Sequence, residues 1–368
     1  MASTYLTRTA TANNNSVGKW TFSVWLKRTS IGSESNIISF YSTGAYRSAL
    51  RFDADDKLRF YEVWNSSTIV TKLTNQVFRD INAWYHIVLA VDKTVSSPST
   101  EIYVNGVATT SWSSDDDYTQ NESGKFNDAE PIYIGTENGT GGYFAGIMSH
   151  VHFVDGTKYA ASDFGSTDST TGEWKINTSP TLTMGTNGFT ILKDANTITD
   201  QSSNSNNFTV GGGTLTNTED CPSNVFPILN QLNPQASGYT FDGLGGLSVT
   251  GNTGDAWRTM YGTFGARTGK YYWEQKITNF TGTDPHYIGI VSDDQMSTLN
   301  IDQATTSRGY FYTKTGAKRN NNSQTSYGDS WTTNDIVGIA LDLDNNKLYF
   351  SKNGTWQNSG DPTSGSTG

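Results

Sequence analysis

From Trp20 onward, apolar and polar side chains take turns along short runs. In 20-WTFSVWLKRT-29, Trp20, Phe22, Val24 and Leu26 fall on one side of an extended chain, with Thr21, Ser23 and Trp25 on the other. Comparable runs predict strands at 36-NIISFYS-42, 48-SALRFD-53, 57-KLRFYEVW-64, 86-HIVLAVD-92, 101-EIYVNG-106, 131-PIYIG-135 and 145-AGIMSHVHFVDG-156. Both faces of 87-IVLAV-91 are apolar, so that strand is expected to be central and covered on both sides, whereas 58-LRFYE-62 alternates and should keep one wet face. No segment offers a helical stripe longer than two turns.

A section from about Ser162 to Thr218 closes this first group. Three prolines then interrupt any strand in 219-EDCPSNVFPILNQLNPQASG-238, and its apolar residues predict that it lies against a domain. Strands resume at 246-GLSVTG-251, 270-KYYWEQKIT-278, 286-HYIGIVS-292, 309-GYFYTK-314, 335-DIVGIALDLD-344 and 347-KLYFSKNG-354, while the tail 355–368 carries no strand signal. The expected organisation is a first sandwich over 1–218, a proline-containing linker over 219–238 and a second sandwich over 239–368. One device occurs twice: in 84-WYHIVLAVDKTVSSPSTEIYVNG-106 and 333-TNDIVGIALDLDNNKLYFSKNG-354, an apolar run ending in Asp, a polar loop and an amphipathic strand close on Asn-Gly.

Composition supports the all-β reading. Of 368 residues, 34% are hydrophobic, 16% charged and 12% aromatic, with 37 glycines, a mixture poor in helix formers and rich in turn and strand formers. The net charge of −10 leaves no basic excess for sequence-independent nucleic-acid binding or for an anionic membrane. Cys221 is the single cysteine, so neither an intrachain disulfide nor a cysteine zinc site can form. No run approaches a membrane span, the first twenty residues lack a signal-peptide core, and a soluble protein is expected.

The first section resembles laminin-G-like, concanavalin A-like jelly rolls of structural and fibre proteins of tailed phages, especially those of marine bacteria. The matching words are 5-YLTRTAT, 20-WTFSVWLKRT, 77-VFRDINAWYHIVLAVD, 102-IYVNGV, 133-YIGTENGTGGYFAGIMSHVHFVDG and 172-GEWKI, with 187-NGFTILKD and 200-DQSSNSNNFTV as a closing segment. The second section resembles a SPRY domain through 269-GKYYWEQKIT, 288-IGIVSDD, 327-YG and 335-DIVGIALDLDNNKLYFSKNG. Two concanavalin A-like jelly-roll sandwiches in tandem are therefore expected. SPRY domains continue past the Lys-Asn-Gly turn with further strands that do not follow Gly354, so the second sandwich is expected to be incomplete at its C-terminus, through truncation of a longer protein. The tandem order also resembles phage appendage proteins. It implies a tail fibre or similar virion subunit, assembled in the host cytoplasm, that partners other virion proteins and itself, trimers included, and binds a host-surface glycan or protein. The alternative is a virion structural or decoration subunit with no host ligand.

Candidate chemistry is sparse. His150 and His152 stand two apart on a strand, but no third ligand is evident and an ordinary strand role is preferred. Asp115, Asp116 and Asp117 could offer oxygens to calcium, although a solvated acidic loop explains them as well, and no cofactor is required. Asp200 with Asn204 and Asn206 reads as turn chemistry first and as calcium ligands second. The Glu-x-Asp-x-x-Glu word of glucanases sharing this fold is absent, Glu274 occupies a structural word, and no enzyme activity is expected. Loops 112–120, 136–143, 252–261 and 318–331 carry aromatic and amide side chains suited to a sugar. The candidate contacts are Trp112, Tyr118, Asn138, Tyr143, Trp257, Tyr261, Asn321 and Trp331.

Overall fold

The computed structural model describes residues 3–12, 18–81, 83–232, 239–241, 245–251, 259–280, 285–292 and 308–368. Contacts divide the chain into one compact unit of residues 1–226 with 243–247 and another of 227–242 with 248–368. In the first, the strands are β1 (Tyr5–Thr9), β2 (Lys19–Arg28), β3 (Ser35–Thr43), β4 (Tyr46–Phe52), β5 (Lys57–Trp64), β6 (Ser67–Val77), β7 (Tyr85–Asp92) and β8 (Ser99–Val104). They continue with β9 (Val107–Ala108), β10 (Trp112–Asp116), β11 (Pro131–Ile134), β12 (Gly146–Asp155), β13 (Gly165–Thr167), β14 (Trp174–Ile176), β15 (Phe189–Ile191) and β16 (Thr209–Gly212). An eight-stranded sheet runs β10-β6-β5-β4-β3-β11-β1-β16 and a six-stranded sheet β15-β12-β2-β7-β8-β9, every recorded pairing being antiparallel.

The alternating residues meet between these sheets. Trp20 of β2 stacks on Phe126 at 4.1 Å, and Phe40, Phe60 and Phe153 close around them. Strand β7 lies between β2 and β8 with Ile87 through Val91 buried, the central placement its two apolar faces predict. Val88 faces away from the main core, where Ala161 and Phe164 cover it. Strand β5 departs from expectation, because its supposedly wet face is roofed: Tyr61 is only 7% exposed. Strand β6, eleven residues long, is missing from the predicted runs because seven residues of STIVTKLTNQV are polar; its threonines nonetheless suit a pleated strand.

The second unit contains β17 (Tyr239–Phe241), β18 (Val249–Gly251), β19 (Lys270–Lys276), β20 (Tyr287–Val291), β21 (Gly309–Thr313), β22 (Ala317–Asn320), β23 (Ser323–Ser326), β24 (Ile336–Asp342), β25 (Lys347–Lys352) and β26 (Thr355–Trp356). Sheets β19-β24-β25-β26 and β20-β21-β22-β23 enclose Tyr312, Trp331, Val337, Ile339 and Phe350. The polar tail is thus not strandless: Trp356 pairs with Ser351.

The repeated device has one geometry in both units. Asn105 and Gly106 have φ of 49° and 79°, Asn353 and Gly354 of 49° and 81°, the left-handed pair a tight hairpin needs. The Asn105 N–H donates to the His86 carbonyl at 2.9 Å and its Oδ1 accepts from the His86 N–H at 2.8 Å; Asn353 does the same to Ile336, at 2.8 Å each. The asparagine side chain extends the ladder by one rung. Replacing either with alanine leaves a strand N–H unpaired and forces a Cβ-bearing residue without that bond into the left-handed region, at an expected cost of ~1–2 kcal/mol. Urea titration should show Asn105→Ala shifting the transition of the first unit and Asn353→Ala that of the second.

Candidate functional site: a tyrosine and arginine face on the larger sheet

Alternation places one set of side chains from the eight-stranded sheet away from the core. Strand register aligns Thr7, Tyr133, Ser39, Ala49, Tyr61, Thr71 and Asp116 in a row across seven strands. The small residues Ser39 and Ala49 at its middle make a low floor between two tyrosines. Tyr41 and Arg47 are cross-strand partners beside this row, as are Arg51 and Arg59 on its other side.

At one end the half-exposed rings of Tyr5, Tyr133 and Tyr143 form a ledge. Tyr5 lies 6.1 Å from Tyr133 and stacks on Tyr143 at 6.2 Å. Gly211 lets the Tyr5 ring lie against the β16 backbone, where a Cβ would collide with it. Burial, then the neighbouring Tyr5 and Tyr41 phenols, push the Tyr133 hydroxyl above its ordinary range. The hydroxyls of Tyr5, Tyr41 and Tyr133 make no hydrogen bond among the described residues. They remain available to a ligand.

The loop 136–143 is fastened beside the ledge. Ser39 Oγ donates to the Thr136 carbonyl at 3.2 Å, Thr136 Oγ1 to the Gly141 carbonyl at 2.6 Å, and Asn36 Nδ2 to the Gly142 carbonyl at 3.0 Å. Tyr143 donates its hydroxyl to the Gly139 carbonyl at 2.8 Å, while Asn138 Oδ1 accepts from Thr140 N and Oγ1. The Asn138 amide nitrogen is left as a further unclaimed donor among the described residues.

At the other end three guanidinium groups surround Tyr61, with Arg51, Arg59 and Arg47 at 5.0, 5.7 and 5.9 Å from its ring centre. Arg51 pairs with Glu34 at 2.6 Å and Asp53 at 2.8 Å, Arg59 with Asp53 at 3.4 Å, and Arg47 with Glu137 at 3.3 Å. Tyr61 donates to Glu137. Burial and that carboxylate push the Tyr61 hydroxyl up to about 12, so it stays a donor. Three arginines against Glu34, Asp53 and Glu137 leave no formal excess charge. Such a face suits a hydroxyl-rich neutral ligand better than a polyanion.

Of the residues singled out by sequence, only Asn138 and Tyr143 join this site. Trp112 is half-buried on β10, a strand and not the expected loop, where Lys72 Nζ lies 5.6 Å from its ring. Tyr118 is 3% exposed and donates to the buried Glu62, and Trp331 is 2% exposed in the second core; burial withdraws both rings from any surface ligand. Tyr261 is also buried, Asn321 sits at φ 47° in the exposed β22–β23 turn, and Trp257 lies outside the described residues. Asp115 and Asp117 both accept from Lys72 Nζ, so an ammonium already occupies the place proposed for calcium, while Asp116 accepts from Ser114 Oγ at 3.5 Å. His150 Nδ1 bonds Ser149 Oγ, and His152 Nδ1 bonds Thr190 Oγ1, each within 2.9 Å. Asp200 performs the expected turn chemistry, accepting from the N–H groups of Thr190, Ser202 and Asn206. Sequence reasoning missed Tyr5, Tyr41 and Tyr133 because they stand inside strand words; the signal was there in the opposite parity to Leu6, Phe40 and Ile132.

Residues 2–162 match the laminin-G-type profile described as the concanavalin A-like lectin/glucanases superfamily, and residues 270–361 match the SPRY domain. The ATP-dependent RNA helicase DDX1 of Xenopus laevis is 33% identical over 132 residues, which are 34% of this chain and 17% of that protein. Ddx1 of Drosophila melanogaster is 32% identical over 99 residues, 27% of this chain and 13% of that protein, so the chain spans only a small part of either relative. Among solved structures, a putative carbohydrate binding protein from Bacteroides ovatus is 18% identical with a TM-score of 0.39, over 61% of this chain and 60% of that one. Tailspike protein 2 of Escherichia coli O157:H7 bacteriophage CAB120 is 15% identical with a TM-score of 0.30, over 44% of this chain and 22% of that one.

Proposed function

We propose that this tandem of a concanavalin A-like domain and a SPRY domain is a subunit of a tail fibre or comparable external appendage of a tailed bacteriophage. Its first sandwich binds a host-surface glycan or receptor, without chemical turnover. The virion setting rests on the resemblance of the tandem and its sequence words to phage appendage proteins, and other virion proteins and further copies of the chain are its partners there. Binding rests on one observation: half-exposed tyrosines with uncommitted hydroxyls line an electrically balanced sheet face beside a fastened loop. Flat rings can stack on sugar faces while phenol and amide groups bond hydroxyls. Repeated copies on a virion would turn weak contacts into avidity.

The test is a glycan array probed with the full chain, in calcium and in chelator, followed by the variants Tyr5→Ala and Tyr133→Ala. Each variant is expected to lose ~1.5–2 kcal/mol of binding, about tenfold to thirtyfold in Kd, with little change on adding salt or removing calcium. Undiminished binding by both variants would move the ligand off this face. A second reading, an assembly subunit that touches no host ligand, is favoured by Tyr272 and Tyr310 of the second unit, 55% and 49% exposed on their strands. Incorporation into virions with no retention of any host-surface extract would establish that reading instead.

A further inference from the structure

Residues 219–226 follow the last strand of the first sandwich and turn back onto it. There Lys27 of β2 and Asp220 form an ion pair in which both side chains are 0% exposed. Lys27 Nζ has Asp220 Oδ2 as its single hydrogen-bond partner among the described residues, and otherwise faces the Trp84 ring at 5.4 Å. Asp220 Oδ1, by contrast, accepts twice, from Trp84 Nε1 at 3.2 Å and from the Phe226 N–H at 3.1 Å.

This arrangement suits an ion pair poorly. An ammonium has three donors, and here two of them meet no acceptor among the described residues while the side chain is fully buried. An amide between the same two atoms needs one N–H and one carbonyl, and that carbonyl oxygen already has its two donors in place. We infer that Lys27 and Asp220 condense into an isopeptide cross-link.

The atoms supply every proton required. In the first step of the condensation one proton passes from Nζ to Oδ2, giving a neutral amine beside a carboxylic acid. The amine lone pair attacks Cγ, the Nζ–Cγ bond forms, and the Cγ–Oδ1 π electrons move onto Oδ1. The Trp84 and Phe226 N–H groups stand where that negative charge develops. An Nζ proton then passes to the Oδ2 hydroxyl, the Cγ–Oδ2 bond breaks, and water departs as the carbonyl re-forms. The net change is an ammonium and a carboxylate converted to a secondary amide and one water, with no oxidant or co-reactant. The product joins positions 193 residues apart in a chain whose single cysteine forbids an intrachain disulfide.

The experiment is denaturing mass spectrometry and peptide mapping of the folded full-length chain. The expected result is a mass about 18 Da below that of the sequence and a branched peptide joining the Lys27 and Asp220 fragments. Lys27→Arg and Asp220→Ala should each restore the sequence mass and abolish the branch. Recovery of separate, unbranched Lys27 and Asp220 peptides from the wild-type chain would overturn the inference, including when water has been lost elsewhere, as in an Asp-Gly succinimide. Because the decisive reading is made on the wild-type protein, a variant that fails to fold does not blunt it.

Discussion

Asp56→Ala is expected to destabilise the first sandwich by ~3–5 kcal/mol, because it strands a buried guanidinium. Asp56 Oδ1 takes hydrogen bonds from Arg28 Nη2 at 3.0 Å and from the Gly32 N–H at 2.8 Å, and Oδ2 takes one from Arg79 Nε at 3.1 Å. Arg28 is itself buried, lying over the Phe52 ring at 4.4 Å with its Nη1 on the Phe78 carbonyl. Burial lowers the Arg28 pKa, yet the Asp56 carboxylate recovers part of that loss. On the Asp56 side burial alone would raise the pKa, but the Gly32 amide and the two arginines outweigh it and hold the carboxyl below its usual range. Three points of the chain, at Arg28, Gly32 and Arg79, therefore depend on one carboxylate. Asp56→Asn keeps an acceptor for Gly32 and suits the observed φ of 66°, so it should fall between wild type and alanine. For a unit of this size the alanine variant should melt on the order of 10 °C lower. A loss under ~1 kcal/mol in urea unfolding would mean that Arg28 finds solvent when its partner is gone.

Acid is expected to act as strongly. His86, His150 and His152 are all buried, and desolvation by burial pushes their pKa values down to about 3, about 4 and about 3. His86 is stacked on Trp25 at 4.8 Å and takes a hydrogen bond from Trp174 Nε1 at 3.0 Å, which fixes Nδ1 as an acceptor. The unfolded imidazoles bind protons near pH 6.5, while the folded ones resist until far lower. Their stabilising effect is therefore complete above about pH 6.5 and drains away as pH falls toward 4 and 3. Glu62 works the other way: burial first, against the opposing pull of Lys93, raises it to about 7, so its contribution is present in acid and lost as pH rises through 7. One raised carboxyl opposes three depressed imidazoles, each worth ~1.4 kcal/mol per pH unit, and the histidines win from roughly pH 7 downward. Urea midpoints of the first unit measured between pH 7.5 and 4.5 should decline with a net slope of about two protons at the acid end. A slope below one proton would show that these rings already reach water.

Period-two alternation made the layered all-β plan legible, down to the interior position of β7, since a strand apolar on both faces can only be covered twice. It failed where the covering comes from another part of the chain. Tyr118, in an acidic loop, is drawn inward by the buried Glu62, and Tyr61, in a strand expected to be half wet, is roofed by arginines from its own and a neighbouring strand. Composition alone hid β6 and the polar β22–β23 hairpin, where partner strands and not side-chain burial decide the pairing. The ledge of Tyr5, Tyr41 and Tyr133 went unseen for a related reason: three strands far apart in the chain become neighbours only through sheet order, which local periodicity does not encode.

The twin asparagine hairpins differ in how they would age. Asn-Gly is a thermolabile pair prone to deamidation, and the residue left behind carries a carboxylate in place of the amide. At Asn105 the side chain gives only its oxygen to the His86 N–H, a duty that an aspartate oxygen could also perform. At Asn353 the amide nitrogen also donates to Asp335 Oδ1 at 2.8 Å, so the same conversion would set two anions face to face with Lys352 alone, 3.4 Å from Asp335, to shield them. Shelf life would then be limited by the second hairpin, and the first would grow old without opening.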